Sequence, residues 1–257
     1  FDKTYVCLGT DISSRMKNQV LTTVNQCLLN GQVTVSDADG IHPQERGSRM
    51  KKGVRWVVHD RVGYYFLNKE NVILSNQRTE GSWKIANRQT TTPTDIIQQD
   101  VFTLSVDHGS YPNNEGYAYM VVPSADPLSI EKQVEEEGVV VLANCPDVQA
   151  VRHDGLNMAY AVFYKGGTLR IHDKIVVEMD APGMLMVKYN DAGEILTLGV
   201  SDPTRFMKKL HLSVNQRIVG TAQENIQTEW DGKQALTRIS VDLPQNEYAG
   251  KSVIYNK

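Results

Sequence analysis

Hydrophobic and polar positions alternate in short runs along most of the chain. In Lys174-Ile175-Val176-Val177-Glu178-Met179, neighbouring side chains fall on opposite faces of an extended backbone, and Met184-Leu185-Met186-Val187-Lys188-Tyr189 behaves likewise. This period of two is that of a sheet with one buried face. Runs rich in Val, Ile, Tyr, Phe and Thr, broken by Gly, Asn, Asp and Pro, predict strands. They fall at 4–8, 20–29, 54–59, 63–67, 101–106, 117–122 and 139–142. The later ones fall at 148–152, 158–164, 174–179, 184–189, 195–200, 236–241 and 252–255.

Asp60-Arg61-Val62-Gly63 and Lys165-Gly166-Gly167-Thr168 have the chemistry of hairpin turns. One stretch reads as a helix. Asp126 caps it, Pro127 suits its first position, and Leu128, Ile130 and Val134 form a partial apolar face. Glu135, Glu136 and Glu137 oppose the helix dipole at its far end, so it is expected to stop near 133–135. The polar stretches 36–52 and 88–99 lack periodicity and read as surface loops. A division falls after the turn around Gly166, giving parts 1–172 and 173–257. A division near Gly138, after the helix, is the alternative.

Of the 257 residues, 40% are hydrophobic, enough for a packed core. The length permits one large β domain or two smaller ones. Nothing reaches the roughly 18 consecutive apolar residues of a membrane helix, so no membrane partner is expected. The formal charge of −3 argues against nucleic acid as a partner, which requires an excess of Lys and Arg. Local basic patches remain compatible with an anionic sugar. Cys7, Cys27 and Cys145 form no metal-binding spacing and read as small buried hydrophobes; the spacing leaves a Cys7–Cys27 disulfide open without calling for it. The chain opens on Phe1 already in strand-like sequence, so a longer parent protein is expected.

The catalytic inventory is poor. Asp37-Ala38-Asp39-Gly40 has the start of a calcium loop, but Ser48 stands where a glutamate is needed, so it reads as a solvated loop. No two histidines are spaced as metal ligands, and there is no nucleophile elbow or phosphate loop. Asp107 and His108 could pair as an oriented base. As neighbours on a strand they point to opposite faces, so His108 reads as a hydrogen-bonded turn histidine. Trp56, Tyr64, Tyr65 and Phe66 could form a sugar-stacking platform, but their pattern fits a core better.

Several segments, in order, resemble the polysaccharide lyases of family 8, the chondroitin AC and hyaluronate lyase type. They are Phe1-Asp2-Lys3-Thr4-Tyr5-Val6-Cys7-Leu8-Gly9-Thr10-Asp11-Ile12, Leu21-Thr22-Thr23-Val24-Asn25-Gln26, and the hairpin Trp56-Val57-Val58-His59-Asp60-Arg61-Val62-Gly63-Tyr64-Tyr65-Phe66. His108-Gly109-Ser110-Tyr111-Pro112 with 117–123, then Val141-Leu142-Ala143-Asn144 with Val148-Gln149-Ala150-Val151, and Asp202-Pro203 complete the series.

The resemblance implies an all-β chain: the later half of a large antiparallel β-sandwich, then a small C-terminal β-sandwich domain. It implies a parent enzyme that cleaves uronate-containing glycosaminoglycans by β-elimination. A base removes the proton α to the carboxylate, an acid assists departure of the 4-linked oxygen, and the carboxylate is neutralised so that the enolate can form. Family members place those groups on an N-terminal α/α toroid and on a glutamate early in the sandwich, all upstream of the segment matched by Phe1. No catalytic residue is therefore expected here, and neither His59 nor His108 takes the family histidine's role. The chain is expected to need no cofactor or metal, any calcium belonging to the upstream part. Its expected partners are that toroid, the acidic polysaccharide, and further copies through exposed sheet edges. The expected location is secreted or periplasmic. For sugar contact the candidates are Thr10, Asp11 and Ser13 after Gly9, with Asn25 and Gln26 second. The rival readings are a stand-alone carbohydrate-binding β-sandwich module and a complete enzyme using Asp107 and His108.

Overall fold

The structure, a computed structural model, describes residues 1, 4–218 and 224–257. Every strand pairing among them is antiparallel. The chain divides into two units, Phe1–Lys132 and Gln133–Lys257.

The first unit holds β1 (Tyr5–Ile12), β2 (Gln19–Leu28), β3 (Val33–Asp37), β4 (Gly40–Pro43), β5 (Ser48–His59), β6 (Val62–Gly81), β7 (Ile97–Ser110) and β8 (Glu115–Pro123), all in one sheet. A one-turn helix α1 (Trp83–Ala86) tips the β6–β7 hairpin. Asp60 and Arg61, at φ of 47° and 62°, make the tight turn joining β5 to β6, the mirror-image turn that matches strand twist. The 20-residue β6 serves two neighbours: its first part pairs with β8 and its second with β7. Trp56, Phe66, Leu74, Phe102 and Leu104 fill the interior. The expected aromatic cluster is thus core, with Tyr64 and Tyr65 buried as well.

Helix α2 (Ile130–Glu137) begins against this unit. Asp126 Oδ1 accepts the Leu128 N–H at 2.8 Å, closing a turn ahead of the helix, which starts at Ile130 rather than at the expected Pro127 and leaves Leu128 exposed. Ile130 is buried over Gly63, where an added Cβ would come within 2.4 Å of Ile130 Cδ1. The Trp56 indole N–H donates to Glu131 at 3.1 Å. The helix runs past the expected stop at 133–135 to Glu137, and Gly138 ends it at φ 60°. A left-handed glycine is a stronger stop than an unfavourable dipole.

The second unit is a sandwich. One sheet has the order β19 (Val253–Asn256), β15 (Ile195–Ser201), β14 (Gly183–Tyr189), β11 (Met158–Phe163), β10 (Val148–His153), β9 (Val139–Asn144). The other runs β12 (Gly167–His172), β13 (Ile175–Met179), β16 (Lys209–Val214), β18 (Leu236–Asp242), β17 (Ile226–Asp231). Phe163, Leu185 and Leu198 from the first pack with Ile171, Met179, Leu210 and Ile239 from the second in one core.

Four expectations are corrected. The division after 172 would cut the β12–β13 hairpin and separate β11 from its partner β14, so the Gly138 side of the choice is the one the pairing supports. The Gly166 turn does not make a hairpin; it carries the chain from β11 in one sheet to β12 in the other. Gly166 is needed for close approach, since a Cβ there would sit 2.6 Å from Asp180 O. The charged stretch 36–52 is largely strand, including β4 and the start of β5. All three cysteines are free and only partly buried.

Candidate functional site

A loop pair at one end of the first unit gathers most of the predicted contact residues. Strand β1 runs so close to β8 that the Tyr117 ring lies where a Gly9 Cβ would be, 2.2 Å away, and a Gly116 Cβ would meet Gly9 O at 2.7 Å. The register then slips between Gly9 and Ile12. Such a bulge re-aims the side chains at it, and Asp11 takes φ 56° there and lies exposed. Beyond it, Ser13 Oγ accepts the Asn114 N–H at 3.0 Å, and the Ser14 N–H donates to Pro112 O at 2.9 Å. The β1–β2 loop is thereby laced to the β7–β8 turn, where Tyr111 and Asn114 are left-handed at φ 56° and 58°.

The lacing presents Tyr111, 55% exposed, together with exposed Arg15, Met16 and Lys17. An open aromatic face can stack on a sugar ring, and two cations suit carboxylate or sulfate groups. The structure brings the expected Thr10, Asp11 and Ser13 to the same end as Arg15, Lys17 and Tyr111, which the sequence did not single out as contact residues. The signal was present as a basic, polar run between two strands.

Asn25 and Gln26 are elsewhere. Gln19 faces Ser110 at the loop end, whereas Asn25 faces Leu104. Six residues of strand separate Gln19 from Asn25, about 20 Å at roughly 3.3 Å each. A bulge between Thr23 and Asn25 turns the Asn25 amide to the Tyr64 hydroxyl, with Cys27 Sγ at 3.6 Å. Asn25 therefore holds the sheet together, and Gln26 stands exposed.

His108 lies just behind the loop pair, 9% exposed, with Nε2 2.8 Å from Thr22 Oγ1 and its ring 6.3 Å from Tyr117. Burial lowers its pKa, opposed by the charges of Glu115 and Asp107. Asp107 Oδ1 accepts the Gly109 N–H at 2.9 Å, so it holds its own turn. The two do not form an oriented dyad. Glu70 is the most perturbed acid near them: burial, then the charge of Glu115, pushes it up to about 7. The Asp37 carboxylate is engaged by His42 at 3.1 Å and Lys51 at 3.2 Å, which stitches the β3–β4 turn. Among the described residues no group of three or more His, Cys, Asp or Glu is arranged to hold a metal.

The structure is an antiparallel sheet followed by a sandwich, and the comparisons give its class. The family model "Polysaccharide lyase family 8, super-sandwich domain" matches residues 1–134, and "Polysaccharide lyase family 8, C-terminal beta-sandwich domain" matches 140–211. The chain belongs to polysaccharide lyase family 8. It is 34% identical over 253 residues to Chondroitinase-AC of Pedobacter heparinus, covering 98% of this chain and 33% of that protein. A solved chondroitinase AC lyase, described with oligosaccharide complexes, is similar with a TM-score of 0.81 at 33% identity, covering 99% of this chain and 35% of that one. Paenibacillus xanthan lyase shares the fold with a TM-score of 0.82 at 22% identity, covering 99% of this chain and 25% of that one. The chain thus spans about a third or less of the length of these relatives.

Proposed function

We propose that these 257 residues are the non-catalytic scaffold and cleft wall of a lyase that cleaves an acidic, uronate-containing polysaccharide by β-elimination. The observation that carries this reading is the loop pair: Tyr111, Arg15 and Lys17 are exposed on two loops joined by two hydrogen bonds and are suited to an anionic sugar chain. Thr10, Asp11 and Ser13 line the same end, with Asp11 exposed at the bulge. The groups that move protons belong to a toroid domain outside these residues, as does any calcium the whole enzyme holds. A polymeric substrate is met outside the cytoplasm, and this supports a periplasmic or secreted enzyme.

The test compares this chain with a longer one that includes the preceding toroid, measuring the ultraviolet absorbance of unsaturated uronate released from chondroitin sulfate or hyaluronan. The longer chain is expected to turn over and the 257-residue chain is not. Turnover by the shorter chain alone overturns the reading. So does a longer chain whose activity ignores substitution of Arg15, Lys17 and Tyr111 together.

A further inference from the structure

The second unit displays an exposed aromatic and basic surface. Two loops build it. In the first, the buried Asp202 carboxylate accepts the Thr204 N–H at 2.9 Å, the Thr204 hydroxyl at 2.6 Å, the Phe206 N–H at 3.0 Å and the Met207 N–H at 2.8 Å. Four donors on one carboxylate fix the loop, and it holds Phe206 88% exposed. In the second, Asn246 and Gly250 are left-handed at φ 58° and 90°, and Tyr248 stands 60% exposed with the Lys251 ammonium 5.9 Å from its ring centre. The loops are joined: Gln245 Nε2 donates to Met207 O at 3.1 Å, the Leu243 N–H donates to Lys208 O at 2.8 Å, and Arg205 reaches Asn246 O at 3.5 Å.

We infer that Arg205, Phe206, Lys208, Tyr248 and Lys251 form a second binding surface for an acidic polysaccharide. A benzyl ring fixed in water by so many hydrogen bonds has no folding benefit, because exposure of an apolar ring is unfavourable. Aromatic faces suit the apolar faces of sugar rings, and three cations suit carboxylate or sulfate groups along the same chain. Lys209, next in sequence, is turned to Asp242 at 3.2 Å and is left out. The surface gives the enzyme a hold on the polymer separate from the Tyr111 loop pair, with the substrate class taken from the function proposed above.

The experiment measures binding of chondroitin sulfate chains to the 257-residue protein by calorimetry, with neutral dextran as the control. Lys208→Glu with Lys251→Glu is expected to weaken binding by about tenfold or more, and Phe206→Ser by roughly threefold to tenfold. Arg15→Ser with Lys17→Ser is expected to leave this component in place. All these side chains are exposed, and circular dichroism checks that each variant folds. Absence of binding by the parent chain, equal binding of dextran, or loss only in the Arg15 and Lys17 variant overturns the second surface. If Phe206→Ser instead dissolves a dimer and leaves binding intact, the patch is a contact between copies and the inference fails. The proposed function is judged separately, by turnover in the longer chain and its dependence on Arg15, Lys17 and Tyr111, so a second surface that fails while the loop pair still binds leaves it standing.

Discussion

His59 Nε2 accepts the backbone N–H of Asn30 at 3.0 Å, and that one bond sets what the other side of the ring does. In the neutral imidazole the proton then lies on Nδ1, which faces Cys27 Sγ at 3.7 Å. Phe102 stacks on the ring with centroids 4.3 Å apart and planes at 21°. The histidine of the His-Asp hairpin is therefore a neutral bracket between β2, β5 and β7.

Burial lowers the His59 pKa from its ordinary 6.5, against the opposing charge of Asp60. Below the ordinary value the unfolded chain takes up a proton that the folded chain refuses. Stability is therefore lost as pH falls from 6.5 toward the lowered folded value. His108, lowered by the same cause, adds in the same direction. The thermal midpoint is expected to fall between about pH 7 and about pH 5, and His59→Asn to flatten the slope. An unchanged slope in both His59→Asn and His108→Asn variants refutes the assignment.

Gly63 gives a test of the hairpin under α2. In Gly63→Ala the new methyl would meet Ile130 Cδ1 at 2.4 Å and Ala125 Cβ at 2.9 Å. Overpacking of this kind costs about 1–3 kcal/mol. Ile130→Val removes the nearer atom, so the double variant should recover part of the loss in denaturant melts. Additive losses would show that the two sites do not touch.

The sequence carried the β5–β6 turn plainly, because Asp60 and Arg61 sit where a two-residue turn demands positive φ and Gly63 follows. It did not carry the division at Lys132, since hydrophobic alternation has the same period on both sides of it. Gly166 and Gly167 look like any hairpin; which sheet the next strand joins is decided by Leu169 and Ile171 finding the core, not by turn chemistry. The charges at Arg49 and Lys51 hid the start of β5, yet alternate positions on a wet strand face accept such residues freely. For the candidate site, position in sequence pointed to 10–13, but the lacing of Ser13 to Asn114 spans the fold and no local pattern announces it.

Sheet edges yield the third prediction. Strands β1 and β4 end the strand path of the first unit's sheet, and β2 borders β7. Unpaired backbone along such edges is a template for another chain. The 257-residue protein is expected to elute as a dimer or larger species at high concentration and to shift toward monomer on dilution. A constant monomer across the range rules this out.

The loop pair predicts a kinetic pattern in the longer enzyme. Tyr111→Ala removes a stacking face, which is worth about 0.5–1.5 kcal/mol, so KM should rise by roughly threefold to tenfold with kcat little changed. Arg15→Ser with Lys17→Ser should do the same and lose its effect in high salt, where screening already weakens the cations' contribution. A fall in kcat with constant KM would instead place these residues in the chemical step.

Asp202 supplies the last prediction. Burial opposes its charge, yet the donors of Thr204, Met207 and Phe206 outweigh that and hold its carboxyl below the usual value of 3.8. Such a group stabilises the fold above its unfolded pKa, and the contribution is lost as pH falls through the folded one. Asp202→Ala leaves four donors without their acceptor and is expected to cost about 2–4 kcal/mol, more than a surface substitution. Asp202→Asn keeps one acceptor oxygen but exchanges the other for a donor that faces N–H groups, so it should recover little. The acid limb of the stability curve should become shallower in both variants. If Asp202→Asn melts like the parent chain, the loop that displays Phe206 is held by something other than this carboxylate.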